Sequence, residues 1–578
     1  MSPPSKEPTA ASITVQQTLD LLDGEFAAFA GGVADGRYAF WLGSGISRGR
    51  VPDLGEIVLM VLEFLQTRID PGNPDCAHAK ALAEAVDLAG LRDDERRRLN
   101  LAEPVRGWEL LDVIVKGLVS RYAELLDVRV SGQREDYLVW DAVDVRATYP
   151  PDAPPDCEHY CIAILSLEGL VADLASANWD GLIESAVAEL AGDRNQVLRV
   201  VVLAEDFREP ARRTRLLKLH GCAPSAALDP TKYRGAIVAA QSQITSWPTD
   251  ADTAVMRDAL QTLATTKPTV MIGLSAQDSN LQDLFARATG AMKWQWPSDP
   301  PAHVFAGDAL GAKQRNLLKV VYSEEYEEHG EQIERDALLR AYAQQLLTAL
   351  VLHVLVAKLR VFIDTAEAPG LKVADRDSLG GGLRVLRDLA AAEAEPNRLA
   401  FVGTLMRAET RAMSLFQEGT EPTPDAPGYR PLSSEPEDQI QSSPSLPTSG
   451  LRELAAALGL LGRGSTDGAW HVSVGPTVSG NNGTLKVVGS TGVETAIYFG
   501  ANRQAAVQSE MNARIDATAD DVVMIHSTGP VGALARSPRR RFGRTGRGGT
   551  RHVDMSNLLK TSADLTDLEI RFRQGAAL

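Results

Sequence analysis

A chain of 578 residues is long enough for about three or four domains, and its 44% hydrophobic and 23% charged residues describe an ordinary globular protein with ample core. A formal net charge of -17 excludes a protein that coats nucleic acid over its whole surface, although local basic patches remain open. Cys76, Cys157, Cys161 and Cys222 are too few for a disulfide framework and point to a reducing compartment.

Met1 to Ala11 is polar and contains prolines, without the apolar core of a signal peptide, so residues 1–14 read as a flexible N-terminus. Thr18 to Val33 carries an amphipathic pattern and predicts a helix. Phe40-Trp41-Leu42-Gly43-Ser44-Gly45-Ile46-Ser47 comes next, an apolar run ending in a glycine turn. A polar segment, Ser47 to Leu54, then leads into an apolar helical stretch from Leu54 to Leu65. A strand, a tight turn and a helix in this order let backbone N–H groups approach a phosphate at the helix N-terminus. The same glycines could equally turn a corner with no ligand.

Ala77 to Leu125 has helical spacing and reads as a helical insertion between the first two strands of a parallel sheet. Pro150 to Pro155 breaks the chain, and a helix from Glu158 to Leu167 comes after it. Cys157 and Cys161 have metal-like spacing, but no second pair completes a zinc site, so they read as one face of that helix. Gly169 to Asn178 predicts a strand ending on Asn178, Leu198 to Leu203 another, and Leu216 to Gly221 a third ending on His220. Thr269 to Ser275 runs into Asp278, and His303 to Ala306 reads as a last edge strand. Strands alternating with helices, with polar residues at strand ends, predict a doubly wound α/β sheet. Ligands in such sheets sit at the carboxyl ends of the strands.

Ala312 to Phe416 is almost wholly helical in pattern. Its strongest run, Ile333 to Phe362, reads as core, with an oligomer interface as the second reading. The most apolar part, Leu346 to Ala357, is interrupted by His353 and is shorter than the about 20 residues that span a bilayer, so no membrane segment and a cytoplasmic location are expected. Residues 419–450 are crowded with Pro, Ser, Glu and Asp and read as a disordered linker. Beyond it, 451–578 reads as a small α+β domain. Its helix runs from Leu451 to Leu461, its strands lie near Trp470–Val474, Leu485–Val488, Ala496–Phe499 and Val522–Ile525, a second helix starts at Asn502, and Leu568–Phe572 is a candidate edge strand. Arg536, Arg539, Arg540, Arg541, Arg544 and Arg547 concentrate positive charge in a stretch without acidic residues. That stretch could contact nucleic acid, dock a protein, or simply be solvated.

Gly43-Ser44-Gly45-Ile46-Ser47, Ser176-Ala177-Asn178-Trp179-Asp180-Gly181-Leu182 and Leu219-His220-Gly221, in this order, resemble the sirtuin fold over about residues 15–310. Ile272-Gly273-Leu274-Ser275 is similar to that family's distal nucleotide-contacting loop. The resemblance implies a Rossmann-like, NAD-binding catalytic domain over 15–311, followed by the helical region 312–418. It implies NAD+ contacts at Gly43, Ser44, Gly45, Ile46, Ser47, Asp53, Gly273, Ser275 and Asp278, with Asn178, Asp180 and His220 as catalytic residues.

Read without the resemblance, Asn178 could cap the next helix, His220 could be a turn histidine, and Asp180 could complement a helix dipole. Two features depart from protein-deacylating sirtuins. Only Cys222 stands where two cysteine pairs hold their zinc, with a short, featureless Ala223 to Trp247 in its place, and Gly49-Arg50-Val51-Pro52-Asp53-Leu54 replaces their Gly-Ile-Pro-Asp-Phe-type loop.

In these departures the chain resembles the sirtuin-like NAD+ glycohydrolases of bacterial anti-phage systems. That resemblance implies NAD+ as substrate, no metal, and an abortive-infection effector that starves the cell of NAD+. It also implies a homo-oligomer or a complex with another defence protein, such as an ATPase, an Argonaute-like or a nucleotide-processing subunit; the arginine stretch makes nucleic acid one candidate trigger, and no membrane contact is expected. A deacylase, an ADP-ribosyltransferase and a catalytically silent NAD or ADP-ribose sensor are the alternatives.

Overall fold

The computed structural model describes residues 8–210, 212–276, 278–473, 485–489, 492–512, 521–527 and 550–578. Arg536, Arg539, Arg540, Arg541, Arg544 and Arg547 lie outside the described residues.

Seven parallel strands form the first sheet: β1 (Ala39–Leu42), β2 (Asp173–Ser176), β3 (Leu198–Val201), β4 (Thr214–Lys218), β5 (Thr269–Ile272), β6 (His303–Ala306) and β7 (Leu338–Leu339), in the order β3-β4-β2-β1-β5-β6-β7. All four residues of β1 are buried, as a strand covered on both faces requires. Phe40 pairs with Leu174 of β2 on one side and with Val270 of β5 on the other, which makes β1 the point where the strand order reverses. Helices cover both faces. The sheet is a doubly wound, Rossmann-like α/β layer, as the alternation of elements predicts.

The predicted helix from Thr18 to Val33 is two, α1 (Val15–Asp23) and α2 (Ala27–Ala34), broken at Gly24. Residues 8–14 are docked rather than loose: Ala10 is buried, its N–H donates to Asp308 Oδ1 at 2.9 Å, and Thr14 caps α1. Between β1 and β2 lies the predicted helical insertion. α3 (Leu54–Thr67) precedes it, and the two share a core of Val58, Val61, Leu62, Leu82, Ile114, Leu118 and Leu125. The stretch after His220, which reads as featureless in sequence, forms short helices, and its Ala223, Ala226, Ile237 and Ala239 complete that core.

The sheet does not end at β6. β7 pairs with β6, and the chain enters a long helix, Ala343–Asp364, which packs on α1, α2 and α4 (Cys157–Leu167). The boundary predicted at residue 311 therefore cuts through a continuous core. At 22 residues, this helix, α5, is long and apolar enough to cross a membrane, which corrects the shorter span read from sequence, and 15 of its residues are buried inside the protein. Cys157 and Cys161 both face its Thr348, at 3.4 and 3.9 Å.

The predicted disordered linker is also packed. Tyr429 is 1% exposed and Leu432 8%, and burying two such side chains contributes about 3–6 kcal/mol. Beyond it lies a second, mixed sheet: β8 (Trp470–Ser473), β9 (Leu485–Gly489), β10 (Glu494–Gly500), β11 (Val522–His526) and β12 (Arg551–Asp554), in the order β12-β11-β10-β9-β8. β8, β9 and β10 pair antiparallel, whereas β10, β11 and β12 pair parallel. Val474, predicted as the end of β8, lies outside the described residues. Leu568–Phe572 is not an edge strand but part of a helix, Leu565–Ala576, capped by Asp564. Its buried residues Leu565, Leu568, Phe572 and Ala576 keep helical spacing, and Ile570, the middle of the apparent alternation, is 50% exposed.

Candidate functional site

Four neighbouring strands, β4, β2, β1 and β5, deliver their carboxyl-end loops to one place: Leu219–Gly221, Ala177–Asp180, Gly43–Ser47 and Gly273–Ala276 with Asp278. Backbone bonds stitch these loops together. Leu219 N–H donates to Ser176 O, Ala177 N–H to Leu42 O, and Gly45 N–H to Gly273 O at 3.0 Å.

The glycines are explained first by this stitching. A Cβ on Gly43 would lie 2.4 Å from Gly273 O, and one on Gly45 would lie 2.6 Å from Gly273 Cα. Gly273 itself has φ +65° and Gly221 φ +90°, which favours glycine at both. The turn after β1 closes as a short 3-10 segment, Ser44–Ser47, with Ser44 and Gly45 exposed. Asp53 stands further on, as the N-cap of α3, where it and Glu56 satisfy each other's backbone N–H groups. A carboxylate already occupies that helix end.

Asn178 does not cap the next helix. Its Nδ2 donates to Gly43 O at 3.1 Å and to Ser47 Oγ at 3.3 Å, tying the β2 loop to the β1 turn. Gly43 O can only accept, which fixes the amide with Oδ1 turned away from it. Asp180 does serve the helix start: Oδ1 accepts from Leu182 N–H at 3.1 Å while Oδ2 accepts from Ser47 Oγ at 2.9 Å. Ser47, fully buried, is the hub of this group.

Behind it lies a charge pair absent from the sequence-based expectations. Lys218 Nζ is 2.9 Å from Glu184 and donates to Asp180 O, with both side chains buried. Burial alone would lower the Lys218 pKa, but Cys222, Glu184 and Asp180 around it outweigh that and raise it. A lone lysine in the apolar run Leu216-Leu217-Lys218-Leu219 was the available signal, since a buried lysine needs a partner.

His220 and Asp278 meet across the site, Nε2 to Oδ2 at 2.7 Å, close enough for an ion pair though not aligned as a hydrogen bond. Burial would raise the Asp278 pKa; the imidazole of His220 and the N–H of Asn280 prevail and lower it. The helical insertion adds two phenols. Burial and the charge of Asp180 raise the Tyr149 pKa, and burial and the charge of Asp278 raise that of Tyr122. Ser275 lies exposed on the β5 loop beside this group. Among the described residues, no group of three or more His, Cys, Asp or Glu side chains could hold a metal ion.

Residues 173–342 match the SIR2-like domain family. The chain carries a sirtuin-like domain. The matched stretch opens on the first residue of β2 and closes three residues past β7. It includes Asn178, Asp180, His220, Gly273, Ser275 and Asp278, while the glycine turn after β1 lies before it. The sirtuin-like domain thus reaches beyond β6, in agreement with the continuous sheet. SIR2-like domains are NAD-related and commonly enzymatic. No curated protein matches the chain.

Proposed function

We propose that the sirtuin-like domain hydrolyses NAD+ to ADP-ribose and nicotinamide. The observation that carries this reading is the convergence of Asn178, His220 and Asp278 from three strand ends at the reversal point of a sirtuin-like sheet. Water attacks C1′ of the nicotinamide ribose, the C1′–N bond breaks, and its electron pair neutralises the pyridinium nitrogen of the departing nicotinamide. The transition state is oxocarbenium-like.

Asn178 spends both amide hydrogens inside the protein, so its Oδ1 faces outward to accept from a ribose hydroxyl or the attacking water. His220 takes the proton released, with the Asp278 carboxylate orienting the ring and stabilising its charge. Asp180 has both oxygens engaged and acts as a buried negative charge that holds Ser47. Gly43, Ser44, Gly45, Ile46, Gly273 and Ser275 would line the dinucleotide with backbone, and Asp53 borders it on the helix cap. Residues 223–239, which complete the core of the helical insertion, occupy the chain positions where deacylating sirtuins hold zinc, which favours water over an acyl-lysine peptide as the acceptor. The wider proposal is the anti-phage effector role that the resemblance implies, with cellular NAD+ loss as the outcome.

Nicotinamide release from NAD+, measured with and without an acyl-lysine peptide, tests the reading. Release without peptide is expected from the parent, and Asn178→Ala and His220→Ala should each abolish it while melting close to the parent. Near-parental turnover in either folded variant removes that residue from the mechanism, and release only with peptide converts the assignment to a deacylase.

A further inference from the structure

The N-terminus of α4 enters the same site from the helical side of the sheet. His159, on its first turn, is fully buried. Its Nδ1 accepts from Asp156 N–H at 3.1 Å, and its Nε2 lies 3.2 Å from Ser47 Oγ. A ring nitrogen that accepts has no proton, so a neutral His159 carries its proton on Nε2 and donates it to Ser47.

The hydrogen-bond count at Ser47 then closes. A hydroxyl has one proton and two lone pairs: Ser47 Oγ gives its proton to Asp180 Oδ2 and accepts from Asn178 Nδ2 and His159 Nε2. With the other tautomer, two acceptors would compete for one Ser47 proton, and nothing would fix the direction of the hydroxyl. The charged groups that face the ring are Asp156 on its own helix, Asp180 after β2 and Arg50 after the glycine turn. Burial outweighs the two carboxylates and lowers the His159 pKa to about 4, so the ring is neutral at neutral pH.

We propose that His159 is a positioning residue whose Nε2–H fixes the Ser47 hydroxyl and, through it, the Asn178 carboxamide that faces the ligand. Both His159 and Ser47 lie outside the stretch matched by the SIR2-like family. The inference rests on the reading that NAD+ is cleaved at this site, and part of its test does not depend on turnover.

His159→Met removes donor and acceptor at similar volume. His159→Gln keeps both, since a glutamine at this position can cap Asp156 N–H with its oxygen and donate with its nitrogen. His159→Met should lower kcat about 10- to 100-fold with KM for NAD+ nearly unchanged, and His159→Gln should restore most of the rate. In a Ser47→Ala background, His159→Met should cost little more, because its route to the site is already gone. Independently of turnover, nitrogen NMR of histidine-labelled protein should show His159 protonated on Nε2, with that proton losing its exchange protection in Ser47→Ala. An Nδ1-protonated ring, fully additive losses in the double variant, or parental kcat in folded His159→Met would each overturn the proposal. A parent that releases no nicotinamide sinks the glycohydrolase reading alone, and the tautomer and its dependence on Ser47 then decide the positioning role.

Discussion

His303 shows what burial does to a single side chain. It opens β6 at the end of the sheet away from the site, with Phe285, Trp294 and Tyr322 each edge-on at about 6 Å and neither ring nitrogen partnered. Burial lowers its pKa to about 3. The folded ring stays neutral, whereas the unfolded chain takes up a proton below about 6.5, so protonation of this histidine costs no stability above that pH. Stability is lost as pH falls from there toward 3, at about 1.4 kcal/mol per pH unit. His159 acts in the same direction down to about 4, while Glu158, raised to about 7 by burial, opposes both because the folded state holds its proton more tightly. Comparing His303→Leu with the parent isolates one contribution. Between pH 7 and 5 the parent should lose about 2 kcal/mol more than the variant in urea unfolding, and parallel losses would show that water reaches the ring. No local sequence pattern distinguishes this histidine from any other at the start of a strand.

At the scale of elements, the contact between the β1 and β5 turns positions the site. A Cβ on Gly273 would lie 2.7 Å from Ile46 N, and its φ of +65° disfavours any side chain. Gly273→Ala should cost about 1–3 kcal/mol and push the Ser44–Ser47 turn out of register with Asn178. A lowered melting temperature together with weakened NAD+ binding is expected; an unchanged melting temperature would mean that the turns are not in contact. Both turns were legible in the sequence as glycines after apolar strands, but their contact with each other was not. The C-terminal helix Leu565–Ala576 shows the converse error. Leu568, Ile570 and Phe572 alternate like a strand, and only the burial of Leu565 and Ala576 on the same face selects the helical period.

Across the whole molecule, α4 joins the site to the C-terminal half. Its N-terminal turn carries His159, and Glu168, just past its last residue, enters a buried cluster. Lys358 Nζ from α5 donates to Glu168 Oε2 at 2.7 Å, to Glu168 O and to Ser433 O, while Tyr429 Oη and Leu432 N–H both donate to Glu168 Oε1. Lys358→Met would leave Glu168 buried without its cation, which costs about 3–5 kcal/mol. Denaturant unfolding should register that loss, and limited proteolysis should then cut within 419–450; a variant as stable and as resistant as the parent would mean the pair is solvated. Truncation after residue 311 should likewise fail to give a folded sirtuin-like domain, because it removes β7 and α5 from a shared core. A soluble fragment with a cooperative melt would contradict this.

The sequence by itself determined what is encoded within a few residues: alternating strands and helices, the glycine turns, and the polar residues Asn178, His220 and Asp278 at strand ends. Periodicity and turn chemistry are local, so no tertiary information was needed to read them. The tertiary structure alone decided which distant groups meet. Ser47 and His159 are 112 positions apart, Glu168 and Lys358 are 190, and Glu168 and Tyr429 are 261. The segment 419–450 is polar in composition and reads as solvated, yet a few apolar and aromatic side chains suffice to dock it once Glu168 and Lys358 offer partners for its backbone and its tyrosine. Burial of a polar group costs stability unless a partner satisfies it, and that partner is set by the fold rather than by the neighbouring sequence.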